Sequence, residues 1–104
     1  MLSFNVEQQT TWKFENDISR FSLHYYEDDL ETVYLFSLFV EEKYRNQGLG
    51  SAILEYAESF AREKGFNTII LKVERGTWQE KWYESKGYCF KTQEEIFNWL
   101  EKKM

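Results

Sequence analysis

This sequence has little of several things, and each shortage excludes something. It has a single cysteine, Cys89, so it forms no internal disulfide and suits a reducing compartment. The predicted place for that thiol is a buried or half-buried structural position. No apolar run approaches the ~18 residues that cross a bilayer. The segment from Met1 to Val6 is too short, and lacks the basic flank, for a secretory leader. A cytoplasmic protein without membrane association is the expectation. Positive charge is also in deficit: 18 acidic residues outweigh 13 basic ones, for a net charge of -5. An acidic chain repels phosphate backbones, which argues against nucleic-acid partners. Repeats, low-complexity tracts and linkers are missing too. One domain over residues 1–104 is the reading, with enough chain to bury a core without staples.

Aromatics are plentiful, at 19 % of residues, so the core is expected to be built largely from Phe, Tyr and Trp. Charge is divided along the chain. Residues 1–44 hold nine acidic and three basic side chains, whereas residues 45–104 hold nine and ten. The front half therefore suits a cation and the back half an anion, unless both are simply solvated faces.

Short strands are expected at Ser3 to Glu7, Thr10 to Glu15 and Arg20 to Glu27; the last alternates Phe21, Leu23 and Tyr25 against polar positions. Thr32 to Val40 is a near-continuous apolar run and reads as a central strand buried on both faces. Leu49 to Lys64 follows a helical period. Leu49, Ile53, Ala57, Phe60 and Ala61 form its stripe, Glu55, Glu58, Arg62 and Glu63 lie off it, and Gly65 is the stop. Asn67 to Val73 reads as a strand parallel to the long one, because a helix joins them. A second helix is expected from Thr77 to Lys86 with Gly87 as its end, then a short strand from Tyr88 to Lys91. The tail is ambiguous: Thr92-x-x-Glu95 resembles a capping box and favours a helix from Glu94 to Lys102.

Two motifs carry chemistry. The first, Arg45-x-x-Gly48-x-Gly50, lies between the buried strand and the amphipathic helix. Glycine there lets backbone approach a ligand, and the unpartnered N–H groups at a helix start suit a phosphate. The second is Trp82-Tyr83-Glu84-Ser85-Lys86-Gly87-Tyr88. In order and spacing the two motifs resemble those of the GNAT superfamily of acetyl-CoA-dependent N-acyltransferases, over residues ~20–104.

The resemblance implies an α+β fold: a mixed, mostly antiparallel sheet, a central parallel pair splayed for CoA, and two main helices. It implies acetyl-CoA as acyl donor, with no metal. Leu38 and Val40 would hold the pantetheine arm through backbone groups. Arg45, Asn46, Gln47, Gly48, Gly50 and Ser51 would cradle the pyrophosphate. Tyr83 matches the general acid that protonates the departing thiolate; the alternative, a core aromatic beside Trp82, is the weaker reading because Gly87 stands at the motif's distance. The acceptor would be a small-molecule or peptide primary amine, and the acidic front half suggests a cationic one. For the tail the resemblance implies a strand, and we follow it over the capping box.

The chain also departs from that pattern. Glu42 stands where many members carry proline, and Gly76, with Thr77 beside it, stands where many carry a cofactor-contacting Asn. There is no room for the two helices that usually separate the first strands and wall the acceptor site. That leaves an acceptor side that is open, completed by a second subunit in a homodimer, or suited to a bulky substrate such as a protein tail. No base is assigned: Glu41, Glu42 and His24 are candidates, but Glu41 and Glu42 read better as solvated charges and His24 as an exposed or structurally satisfied group. A non-catalytic CoA-binding or protein-interaction module on the same fold is the alternative reading.

Overall fold

The computed structural model describes residues 4–7, 10–45 and 48–104. Among these lie seven strands and two α-helices. The strands are Asn5–Glu7 (β1), Thr11–Glu15 (β2), Ser19–Tyr26 (β3), Asp29–Val40 (β4), Thr68–Glu74 (β5), Cys89–Glu94 (β6) and Phe97–Lys103 (β7). The helices are Leu49–Glu63 (α1), which joins β4 to β5, and Trp78–Ser85 (α2), which joins β5 to β6. One mixed sheet runs in the order β1-β2-β3-β4-β5-β7-β6. Only β4 and β5 pair in parallel; every other neighbour is antiparallel. The expected α+β architecture is present, and only three residues separate β1 from β2.

Both helices pack on one face of the sheet. Ile53, Leu54, Ala57 and Ala61 of α1 are buried against Phe14, Phe21, Leu23, Val33, Leu35, Ile69 and Leu71. Trp82 and Tyr83 of α2 pack on the same core. The aromatic contribution is large. Phe14 and Phe21, register partners on β2 and β3, stack with centroids 4.5 Å apart. Phe60 of α1 meets Phe14 and Trp12 edge-on, and such contacts add to simple area burial.

Three expectations need correction, and a fourth, the strand at the tail, is met. The long strand is not buried on both faces: Val33 and Leu35 are buried, but Phe36 is 37 % exposed. No helix among the described residues covers that second face, so the apolar run there is an aromatic surface strip. Glu58 is not a solvated position. It is 6 % exposed, accepts a hydrogen bond from the Tyr88 hydroxyl at 2.9 Å and pairs with Lys102 Nζ at 3.1 Å. Cys89 is exposed, because it opens the edge strand β6. The tail is a strand, β7, despite its capping-box signal. A two-residue hairpin at Glu95 and Ile96 precedes it, with Glu95 at φ 55°, where hairpins ordinarily carry Gly, Asn or Asp.

The Glu58–Tyr88–Lys102 group joins α1 to the strand pair beyond α2. Tyr88→Phe removes the hydroxyl that donates to a buried carboxylate, and should lower stability by about 1.5–3 kcal/mol. Chemical denaturation checks this; an unchanged midpoint would show that the hydrogen bond contributes nothing net.

Candidate active site

The site begins where the parallel pair comes apart. Pairing between β4 and β5 ends at Leu35 opposite Leu71, although β4 continues to Val40 and β5 to Glu74. The cause is on β4. Ser37 has φ 57°, a left-handed conformation uncommon for a residue with a side chain. The β3–β4 register steps from Ser22↔Phe36 to Arg20↔Phe39, so Ser37 and Leu38 together face one residue of β3. That is a β-bulge, which bends its strand and re-aims the residues beyond it. The strands separate around a cleft of about 280 Å³.

Leu35, Leu38, Leu71 and Val73 supply its apolar lining. Ser37, Glu74, Thr77 and Tyr83 bring polar groups to it. Tyr83 is half-buried, and burial pushes its phenol up to about 12, so the hydroxyl keeps its proton at neutral pH. The Tyr88 ring lies 5.7 Å away, and its phenol is raised too, first by burial and then by the Glu58 carboxylate.

Beyond the bulge, β4 ends in a short 3-10 turn, Glu42–Tyr44. Arg45 Nε donates to the Val40 carbonyl at 2.9 Å, and its guanidinium lies 5.4 Å from the Phe39 ring. Arg45 thus braces the end of β4, and Val40 does not line the cleft. Asn46 and Gln47 lie outside the described residues. Gly48 is the residue before α1, at φ 75°, ψ 4°. Nothing stands within 4 Å of the place a Cβ would occupy there. No side chain caps α1 and no acidic residue lies in its first turn. The opening N–H groups, at Leu49, Gly50 and Ser51, therefore lack intrahelical acceptors. A Cβ on Gly50 would stand 3.4 Å from the Trp82 ring, so α2 is seated directly against the start of α1. Trp82 in turn meets Tyr83 edge-on at 5.0 Å.

The structure therefore brings Leu38, Tyr83 and the Gly48–Ser51 turn to one side of the molecule. It does not bring the three candidate bases to the cleft. His24 Nδ1 lies 2.6 Å from Thr11 Oγ1 on the helix-free face. Glu41 and Glu42 are exposed and do not line the cleft. Glu74 does line it, and sequence reasoning missed it. The available signal was position: Glu74 ends β5, the strand partner of the one that splays. Gly76 donates its N–H to Glu80 at 2.9 Å, an internal use of the position where an Asn was expected. No group of three or more acidic, His or Cys side chains among the described residues is placed to hold a metal ion.

This geometry can be set beside known proteins. The sequence profile of the Acetyltransferase (GNAT) family matches residues 9–88. The chain belongs to that family. No curated protein sequence matches it. Among solved structures, the PaiA N-acetyltransferase from Thermoplasma acidophilum, in complex with coenzyme A, superposes with a TM-score of 0.77 at 20 % identity. That match covers 90 % of this chain and 60 % of the other, so this acetyltransferase-family chain spans well under two thirds of that relative. A GNAT family acetyltransferase from Elizabethkingia anophelis, with acetyl-CoA bound, gives 0.75 at 18 % identity, over 90 % and 75 % of the two chains. An acetyltransferase from Streptococcus agalactiae gives 0.77 at 21 %, over 91 % and 68 %. At these identities the likeness is one of fold. No helix among the described residues is long and apolar enough to cross a membrane.

The two raised phenols set a pH dependence for this GNAT chain. Each is protonated in the fold above the value of about 10 it has when unfolded. Their contribution to stability is complete below about pH 10 and is lost as pH rises through the folded values. Melting temperatures taken from about pH 8 to about pH 11 should fall at the alkaline end, and less steeply in Tyr88→Phe. Equal slopes in the two proteins would contradict the assignment.

Proposed function

We propose that this chain transfers an acetyl group from acetyl-CoA to a primary amine by direct attack. The observation that carries the reading is the cleft between β4 and β5, which holds a protonated, half-buried phenol and opens beside an uncapped helix start. The residues present fit such a donor. Gly48 leaves open space at the start of α1, and the N–H groups of Gly48 to Ser51 can point at a pyrophosphate. Arg45, exposed and anchored through Nε, keeps its terminal nitrogens for the same anion, and Asn46 and Gln47 belong to that cradle by position. β4 beyond Leu35, at Leu38, offers backbone groups with no partner on β5 to the pantetheine amides, whereas Val40 gives its carbonyl to Arg45 and lies off the cleft. When bound, acetyl-CoA supplies the activated carbonyl.

In the reaction the amine nitrogen forms a bond to that carbonyl carbon and the carbon–sulfur bond breaks. Tyr83 offers its phenolic proton to the leaving sulfur. Burial keeps this phenol protonated across the working pH range while making it a weaker acid than a free tyrosine, so it acts by hydrogen-bonding the sulfur as negative charge develops there. Glu74 takes the proton released by the amine, directly or through a water molecule, since it is the carboxylate at the cleft.

Two variants separate binding from chemistry. Gly48→Glu puts a carboxylate and a strained backbone at the cradle and should abolish the thermal shift given by CoA, whereas an undiminished shift would sink the cradle. Tyr83→Phe should lower kcat about 10²- to 10⁴-fold with the KM for acetyl-CoA unchanged. A Phe variant with wild-type kcat would remove Tyr83 from the chemistry. If CoA binds but no amine in a broad panel is acetylated, the chain is a binding module instead.

A further inference from the structure

The helix-free face of the sheet carries a second cavity, of about 330 Å³. Tyr26, Tyr34 and Trp99 line it, with Ile70 at its base and Lys91 and Thr92 at its edge. The rings are set nearly perpendicular. Tyr26 and Tyr34 meet at 81° with centroids 5.2 Å apart, and Tyr34 and Trp99 at 89° and 6.1 Å. Aromatic corners of this kind present ring faces, which carry negative quadrupole density and attract cations.

Two further observations point to an ammonium ligand. First, the chain already places one on this strip: Lys72 Nζ lies 4.6 Å from the Phe97 centroid and 5.4 Å from that of Trp99. Second, the surrounding charge is acidic. The β3–β4 turn and its flanks supply Glu27, Asp28, Asp29 and Glu31, none of which is in an ion pair among the described residues. The lysines nearby are compensated, Lys72 by Glu94 at 3.6 Å and Lys91 by Glu101 at 3.9 Å. Burial, followed by Tyr26, Asp29 and Asp28, holds the Tyr34 phenol above its ordinary value, in keeping with negative potential at the corner.

The corner also lies at a useful distance from the transfer cleft. Tyr34 lines the cavity, and Leu35, Ser37 and Leu38 line the cleft farther along the same strand. At the strand's rise, one to four residues correspond to roughly 3–13 Å. Phe36 stacks on Tyr34 at 14° and continues the aromatic surface toward the cleft. We propose that the Tyr26–Tyr34–Trp99 corner holds a remote, protonated ammonium of the acceptor, so that the preferred substrate is a linear diamine or polyamine rather than a monoamine. This rests on the transfer reading above. The amine at the cleft is the one deprotonated and acetylated, and the amine at the corner stays charged.

The test uses the full chain with saturating acetyl-CoA, following loss of the thioester absorbance, because the exposed Cys89 would react with a thiol dye. Diaminobutane, diaminohexane and diaminooctane are compared with butylamine and hexylamine. The wild type should show a KM about tenfold lower for the best diamine than for the monoamine of equal length. Trp99→Leu and Tyr34→Leu should each raise the diamine KM about fivefold to thirtyfold and leave the monoamine KM unchanged. Tyr34→Phe, which keeps the ring, should keep the preference and serves as the folding control. Equal KM values for diamine and monoamine in the wild type, or equal losses for both in the variants, overturn the proposal. If no amine turns over, calorimetry of diaminohexane decides. Binding that Trp99→Leu abolishes keeps the ammonium site and sinks the transfer reading alone; no binding overturns the site. A dimer that Trp99→Leu dissociates, by sedimentation, would mean that a second copy covers the corner, and that too overturns it.

Discussion

The structure depends on one interruption of hydrogen bonding: the end of the β4–β5 ladder after Leu35 and Leu71. Two parallel strands left to themselves would pair along their whole length. Here β4 is held on its other side by β3, and one extra residue at Ser37 and Leu38 bends it there. Ser37 occupies a left-handed conformation that costs about 1–2 kcal/mol for a residue with a Cβ. The cost is tolerated because β3 pairs with β4 on both sides of the bulge. What the sheet loses in ladder hydrogen bonds it regains as an edge of backbone groups inside the fold, facing a cleft.

The two helices turn that cleft into a site, and their placement follows from a small number of contacts. Gly50 lets Trp82 approach the first turn of α1. Trp82 and Tyr88 flank Tyr83, which fixes the ring and dries its surroundings. Behind them, Glu58 of α1 binds both the Tyr88 hydroxyl and Lys102 of β7. A buried carboxylate with one partner missing would be costly, so the three groups hold α1, the end of α2 and the far sheet edge in one arrangement. The helix start and the phenol therefore keep their relative positions without either touching a covalent constraint.

Much of this was legible in the sequence. The stripe from Leu49 to Ala61, the stops at Gly65 and Gly87, and the parallel strand after the helix all follow local rules that the structure obeys. The misreadings share a cause: each concerns which face of an element is covered. The run from Thr32 to Val40 is apolar but for Thr32 and Ser37, and composition alone cannot distinguish a second layer from an open aromatic strip. Glu58 looks like a solvated charge until its partners, 30 and 44 residues away, are known. Ser37 and Glu95, the two non-glycine residues with positive φ among those described, shape the cleft and the last hairpin, and nothing local marks either. Glu74 was overlooked because its role is set by where β4 stops pairing.

The open face explains why this chain is so aromatic. A sheet usually buries each apolar face under another layer. Here only three residues lie between β1 and β2, so no pair of helices can cross from that connection. Yet Ile70, on the helix-free side, is only 5 % exposed. Tyr34 is its register partner on β4, and Trp99 lies diagonally across from it on β7. Large rings on neighbouring strands reach one another across a face and shield the residues between them, as cross-strand aromatic pairs do. The aromatic strip thus takes over part of the work of a missing layer while leaving the face accessible to solvent. A helical cover would have hidden Tyr26, Tyr34 and Trp99. Without one, the same rings that protect the sheet remain available to a ligand, and the acidic β3–β4 turn beside them determines the sign of the charge they attract.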